Sequence, residues 1–166
     1  MFRQLIKFPN HLGQTKLGVA QTPYSLQKLI RSDITQHMVS VTRDLYVNLF
    51  NLFQKNQTIS GPRINLGGDH SMSLATVADS LERHDNLKVV WMDAHCDLNT
   101  YNSSPSKNMH GMPMATLLGQ GDTTLTSILH PIAKVKPENA FFIGNHHYAI
   151  SSALKELKSI EKNFMK

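Results

Sequence analysis

The chain has 166 residues, of which 40% are hydrophobic and 17% are charged, and its formal net charge is +5. This length suits one domain with a sizeable core, and the low charge beside many apolar residues excludes a disordered chain. The positive charge is mild and contains no Lys/Arg run, so we predict no nucleic-acid partner.

Cysteine count and apolar runs exclude further classes of protein. The single cysteine, Cys96, excludes an internal disulfide framework and a cysteine-rich zinc module. The sequence shows no secretory leader and no stretch near the ~18 apolar residues of a membrane span. We therefore expect a cytoplasmic protein that makes no membrane contact.

The first part of the chain is predicted to hold two strands and two helices. Residues 2–8 form a first strand, and the Gly- and polar-rich residues 10–22 form a loop. Pro23 suits the first turn of a helix that runs to about residue 30. Residues 35–55 carry apolar side chains at helical spacing and predict one amphipathic helix. Residues 63–66 then form a short strand that a Gly-Gly pair ends.

The second part repeats the alternation of helix and strand. In chain order, the predicted elements are a helix at 71–83, a strand at 88–92, a polar loop at 98–108, a short helix at 112–118, a strand at 140–143 and an amphipathic helix at 150–164. This alternation predicts βαβ units and a parallel sheet. We expect a single α/β domain over residues 1–166, with a three-layer α-β-α arrangement and a mainly parallel sheet.

Polar clusters fall at the carboxyl ends of three predicted strands, where ligands bind in parallel sheets. They are Asp69-His70, the segment from Asp93 to Asp97, and His146-His147. Their placement makes this edge of the sheet the candidate functional site.

The segment Asp93-Ala94-His95-Cys96-Asp97 carries the strongest chemical signal. In an extended chain, residues i, i+2 and i+4 share one side, so its two carboxylates and its imidazole are expected to converge. If the predicted strands at residues 63–66 and 88–92 are neighbours, the side chain of His70 reaches the same point. This mixture suits Mn²⁺ or Fe²⁺, and Zn²⁺ less well. Asp93 can bridge two ions, and a two-metal site lowers the pKa of a bridging water.

Each of these residues also has a plainer interpretation. Asp93 and Asp97 can cap turns, and His95 can be a core histidine. His110, which follows the polar loop, is either a proton shuttle with an ordinary pKa near 6.5 or a histidine at a helix start. Cys96 is predicted to be a small core residue.

Together these residues resemble the ureohydrolases, the arginase and agmatinase family. Two segments resemble the family's first two metal motifs, Gly67-Gly68-Asp69-His70-Ser71 and Asp93-Ala94-His95-Cys96-Asp97. The arginase pattern continues in Asp97-Leu98-Asn99-Thr100 and in Ser106-Lys107-Asn108-Met109-His110-Gly111. Leu17-Gly18-Val19 and Pro23 are similar to the family's N-terminal segment, with Thr22 where Gly is usual. The resemblance covers roughly residues 1–145.

The resemblance implies a pair of manganese ions and their ligands. His70, Asp93 and Asp97 would bind one Mn²⁺. Asp93 and His95 would bind the other, with Asp93 bridging the two. The implied fold is the arginase/deacetylase-like α-β-α architecture, incomplete at its C-terminal side.

The resemblance also implies a substrate and a reaction. The side chains of Asn99, Ser106 and Asn108 would hold the α-carboxylate end of L-arginine, and His95 would also line the substrate site. His110 would shuttle protons, and Asp97 would belong to the catalytic set. A metal-bridging hydroxide would attack the guanidinium carbon and yield L-ornithine and urea.

Two of the chain's departures from the family concern the metal ligands and the substrate site. The family's third metal motif, D-x-D-x-x-D-P, has no match, and the last aspartate is Asp122. Gly144-Asn145-His146-His147-Tyr148-Ala149 stands where the family has acids for the substrate's α-amino group. His146 and His147 are candidates to replace those acids.

Other functions therefore stay open. One is a catalytically inactive arginase-like fragment or isoform that serves as an interaction module, because lost ligands cost metal affinity. Another is a related ureohydrolase acting on agmatine or formimidoylglutamate, although Asn99 and the loop from Ser106 to Asn108 favour arginine. Nucleic-acid binding rests only on the +5 charge. The family is commonly oligomeric, so a homo-oligomer is a further expectation.

Overall fold

The computed structural model describes residues 4–30, 33–121, 124 and 134–144. The strands are β1 (Gln4–Phe8), β2 (Thr35–Met38), β3 (Arg63–Gly67), β4 (Val89–Met92) and β5 (Ala140–Ile143). The α-helices are α1 (Thr22–Leu26), α2 (Leu45–Gln57), α3 (Ser73–Arg83) and α4 (Pro113–Leu117). Short 3₁₀ turns lie at Leu17–Gln21, Gln27–Leu29, His70–Met72, Met109–Gly111 and Pro137–Asn139. The helix predicted for residues 150–164 and the pair His146-His147 lie outside the described residues.

All strand pairs in the described residues are parallel, which confirms the predicted α/β class. The strands form one sheet in the order β2-β1-β3 and a second sheet in which β4 pairs with β5. No ladder joins β3 to β4 in the described part of the chain, so the condition that these two strands are neighbours is not met by strand pairing. Their carboxyl ends nevertheless meet, as the candidate site shows.

The single helix predicted for residues 35–55 is wrong over residues 35–44. Residues 35–38 form β2, in parallel register with β1 from Gln4↔Thr35 to Lys7↔Met38. The helix begins only at Leu45, because Asp44 is an N-cap whose side chain accepts hydrogen bonds from the backbone N–H groups of Tyr46 and Val47. Tertiary pairing with β1 therefore overrides the helical spacing of the apolar residues.

The hydrophobic core lies between the strands and helices α2, α3 and α4. Its fully buried members include Leu5, Ile6, Phe8, Leu49, Leu52, Leu74, Met114 and Leu117. One charged group is also fully buried: Asp79 of α3 forms ion pairs with Arg63 of β3 and Arg83 of α3. This cluster ties α3 to the β2-β1-β3 sheet, at the amino end of β3 and so away from the site. In the described residues, no helix has the length and hydropathy needed to cross a membrane.

Candidate metal centre

Two turns bring the site residues together at the carboxyl ends of β3 and β4. After β3, Gly68 lets the chain pass the 10–13 loop closely, since a Cβ at this position would overlap the carbonyl oxygen of Asn10. The chain then turns at Asp69 into the 3₁₀ turn that carries His70. After β4, the backbone N–H of Asp93 donates to the carbonyl of Ile143 at 3.1 Å, and this fixes Asp93 at the strand end.

His70, Asp93 and Asp97 form a compact group of potential ligands. The Nδ1 atom of His70 lies 2.7 Å from Oδ2 of Asp97 and 3.1 Å from Oδ2 of Asp93. One ligand atom from each of the three residues lies within 4.8 Å of the other two. In the described residues, this is the single group of three or more such side chains close enough to share a metal ion.

The group fits a divalent cation. Its donors are one imidazole nitrogen and two carboxylate oxygens, a set that suits a metal such as Mn²⁺. Oδ2 of Asp97 is buried and, apart from the close approach of His70 Nδ1, has no hydrogen-bond partner in the described part of the chain. A buried carboxylate oxygen is costly unless a hydrogen bond or a cation compensates it, and a bound cation would do so here.

The extended conformation assumed for residues 93–97 is wrong. The chain bends after β4, and Asp97 has φ = 50°, in the left-handed region. The carbonyl of Asp97 accepts a hydrogen bond from the backbone N–H of Ala115 at 3.1 Å, which holds this bend against α4. The two aspartates thus converge through a turn rather than through the alternation of a strand.

His95 is separate from the three-ligand group. Its side chain is 75% exposed, and its Nδ1 lies 3.5 Å from Oδ1 of Asp93. Asp93 therefore faces His70 with one oxygen and His95 with the other. This placement is compatible with the bridging position that the sequence predicted for Asp93.

The environment of His70 favours a charged or metal-bound ring. Burial lowers the pKa of His70, but its contact with Asp97 and the negative charges of Asp97, Asp93 and Asp69 outweigh burial and raise its pKa above 6.5. The ring also packs against Trp91 at a tilt of 31°, with 4.6 Å between the ring centroids. Cys96 lies in the core as predicted, and burial, followed by the charges of Asp97 and Asp93, raises the pKa of its thiol.

The residues predicted to bind substrate lie on the loop beside this centre. Asn99 and Ser106 are exposed, and Asn108 is half-buried. Ser106 Oγ accepts a hydrogen bond from the backbone N–H of Asn108 at 3.3 Å. Asn108 also lines an open cleft of about 630 Å³, together with Thr100, Tyr101 and Met109 among others, whereas the three-ligand group does not line this cleft.

His110 is held by the 10–13 loop. Its backbone N–H and its ring Nδ1 both lie close to the carbonyl oxygen of Gly13, at 2.9 and 3.0 Å. Sequence reasoning missed this contact. It also missed that Asp69 is buried and accepts a hydrogen bond from the backbone N–H of Gly13. The available signal was the position of Asp69 between a Gly-Gly pair and a histidine. A carboxylate that is buried at such a turn needs several hydrogen-bond donors around it.

Comparison with known proteins shows which family the chain belongs to. Residues 7–165 match the family model described as "Arginase family". The chain belongs to the arginase family. It is 36% identical over 146 residues to the arginase of Bacillus subtilis strain 168, an alignment that covers 86% of this chain and 48% of that protein.

Solved structures agree with this membership. The crystal structure of Bacillus subtilis arginase matches with a TM-score of 0.81 and 32% identity, covering 94% of this chain and 61% of that chain. The structure of Entamoeba histolytica arginase in complex with L-ornithine matches with a TM-score of 0.77 and 26% identity, covering 93% and 63%. This chain thus spans about half the length of the first curated relative it matches.

Proposed function

We propose that this chain contributes to the manganese-dependent hydrolysis of L-arginine to L-ornithine and urea. The observation that carries the proposal is the convergence of His70, Asp93 and Asp97 at one point of an arginase-family fold. Family membership supports the reaction class, and the L-ornithine complex of the Entamoeba histolytica relative supports the substrate class.

Each part of the site has a proposed task. His70, Asp93 and Asp97 would hold one Mn²⁺, and Asp93 with His95 would hold a second. The metal pair would supply, at neutral pH, the hydroxide that attacks the guanidinium carbon.

The neighbouring loop would orient the substrate and move protons. The side chains of Asn99, Ser106 and Asn108 would donate hydrogen bonds to the α-carboxylate of L-arginine, because amide and hydroxyl groups suit that acceptor. His110 would transfer protons beside the reacting centre.

One observation favours a second candidate, a metal-binding arginase-like protein without catalysis. His95 is 75% exposed and stands outside the three-ligand group, so a second ion would have two protein ligands, Asp93 and His95, among the described residues. The sequence also lacks a D-x-D-x-x-D-P segment that would add carboxylates. Fewer ligands mean weaker binding of that ion.

Urea release by the protein reconstituted with Mn²⁺ separates these candidates. We expect urea from L-arginine and much less from agmatine, which lacks the carboxylate. Bound Mn²⁺ without urea release would support the non-catalytic candidate, and equal turnover of agmatine would contradict the substrate assignment. A cytoplasmic location and a homo-oligomeric assembly remain predictions; the assembly can be measured by sedimentation.

A further inference from the structure

A buried carboxylate organises the loop that carries Gly13. Asp69 is only 6% exposed, and its two oxygens accept four hydrogen bonds. Oδ2 accepts from Asn10 Nδ2 and from the backbone N–H of Gly13, both at 3.1 Å. Oδ1 accepts from the backbone N–H of Ser71 at 2.9 Å and from Ser71 Oγ. Every acceptor position of the carboxylate is thus used within its own surroundings.

The same loop is fixed from its other side by helix α2. Asn48 of α2 donates through Nδ2 to Oδ1 of Asn10 at 3.0 Å, and both residues are almost completely buried. The chain of contacts Asn48–Asn10–Asp69 is therefore a satisfied buried network, which rigidifies the segment it holds.

Gly13 connects this network to His110. Its N–H donates to Asp69, and its carbonyl oxygen accepts from both the backbone N–H and the ring Nδ1 of His110. A side chain at position 13 has no space, because a Cβ would overlap Asp69 Oδ1 and lie 2.8 Å from the Cβ of Ser71. The position of this carbonyl is thus set by Asp69.

The contact determines where the ring of His110 carries its proton. A carbonyl oxygen only accepts hydrogen bonds, so Nδ1 must be the protonated nitrogen. In the neutral ring, Nε2 is then the nitrogen with the free lone pair.

We propose that Asp69 is a positioning residue for His110, which acts through the Gly13 peptide to hold the imidazole as the Nδ1–H tautomer with Nε2 as the proton-transferring atom. The proton-transfer role rests on the proposed function, but the tautomer does not depend on any reaction. Asp69 itself touches no reacting atom in this account.

Nitrogen-15 NMR of the histidine ring measures the tautomer directly in the full chain without metal. The His110 signals are assigned by their loss in His110→Gln. In the wild type we expect a protonated Nδ1 and an unprotonated Nε2 under conditions in which the ring is neutral. Asp69→Asn places an amide N–H₂ against donors, so we expect loss of the pure Nδ1–H pattern and a mixture of both tautomers.

Asp79→Asn is the matched control, because it also replaces a buried aspartate by asparagine. Asp79 pairs with Arg63 and Arg83 at the amino end of β3, away from the site that contains His110. It is expected to keep the Nδ1–H pattern. If Asp69→Asn does not fold, Gly13→Ala replaces it, with the same expected mixture, because the added Cβ forces Gly13 away from Asp69.

Three results would overturn the proposal: an Nε2–H ring in the wild type, an unchanged Nδ1–H ring in a folded Asp69→Asn or Gly13→Ala variant, or an equal change in Asp79→Asn. Absence of urea release from the wild type would refute the proposed function while leaving this measurement decisive for Asp69.

Discussion

Replacing Asp97 by Asn tests the metal centre with the smallest change of shape. Asp97→Asn keeps the size of the side chain and removes one of the two negative charges among the three ligands. The carboxylate that loses its charge has one oxygen 2.7 Å from His70 Nδ1. Because the side chain is only 6% exposed, bulk water cannot easily take over its ligand position.

The expected loss of Mn²⁺ affinity follows from this position. Mutating residues that merely support metal ligands typically costs about 10–100-fold in affinity. Removal of a buried carboxylate ligand should therefore cost at least about 100-fold, or about 2.7 kcal/mol at 1.36 kcal/mol per tenfold change.

Isothermal titration of the metal-free protein with Mn²⁺ measures this loss. Asp44→Asn is the charge-matched control, since Asn caps a helix as well as Asp and Asp44 is the N-cap of α2. The control should bind Mn²⁺ like the wild type. An Asp97→Asn variant that is folded and binds Mn²⁺ within roughly threefold of the wild type, well short of that 100-fold loss, would refute the assignment of this ligand.

Three further predictions concern stability, pH and substrate. Asp79→Ala leaves the largely buried Arg63 without its carboxylate, so unfolding experiments should show a loss of about 3–5 kcal/mol in the free energy of unfolding. A loss below about 1 kcal/mol would contradict the pairing of Arg63 with Asp79. Burial and, to a lesser extent, the charge of Lys55 lower the pKa of His37 below 6.5, so the unfolded chain binds this proton more readily than the folded chain. The stability contributed by neutral His37 is complete above about pH 6.5 and is lost as pH falls through the folded pKa, so urea unfolding should show a steeper acid loss in the wild type than in His37→Gln. Asn108→Ala should weaken L-arginine binding by about 10-fold or more in calorimetry but leave agmatine binding unchanged, and an equal loss for both would remove Asn108 from carboxylate recognition.

The sequence was sufficient to predict which side chains form the candidate three-ligand group, because these residues follow strand ends. Polar residues directly after the short apolar segments ending at Gly67 and Met92 could be assigned to the carboxyl ends of parallel strands, although β3 and β4 belong to two different sheets among the described residues. The convergence of His70 with Asp93 and Asp97 was predictable on that basis. The positions of these residues at strand ends left the identity of the metal and of the substrate open. The family resemblance then favoured manganese and L-arginine.

The local geometry was not predictable from periodicity. β2 was missed because Thr35–Met38 is a short strand whose residues do not alternate clearly, and its pairing with β1 depends on tertiary contact. The positive φ of Asp97 belongs to a bend in the backbone that no sequence pattern predicted. The contact of His110 with Gly13 joins residues 97 positions apart, so no local spacing encodes it.

Urea release and bound manganese, measured on the same sample, test the central claim most directly. The account predicts that urea production from L-arginine rises in proportion to bound Mn²⁺ and disappears in Asp97→Asn, while Asp44→Asn keeps both properties. Urea release that persists after Mn²⁺ is removed, or the absence of urea release at full occupancy of both sites, would contradict manganese-dependent arginine hydrolysis by this chain.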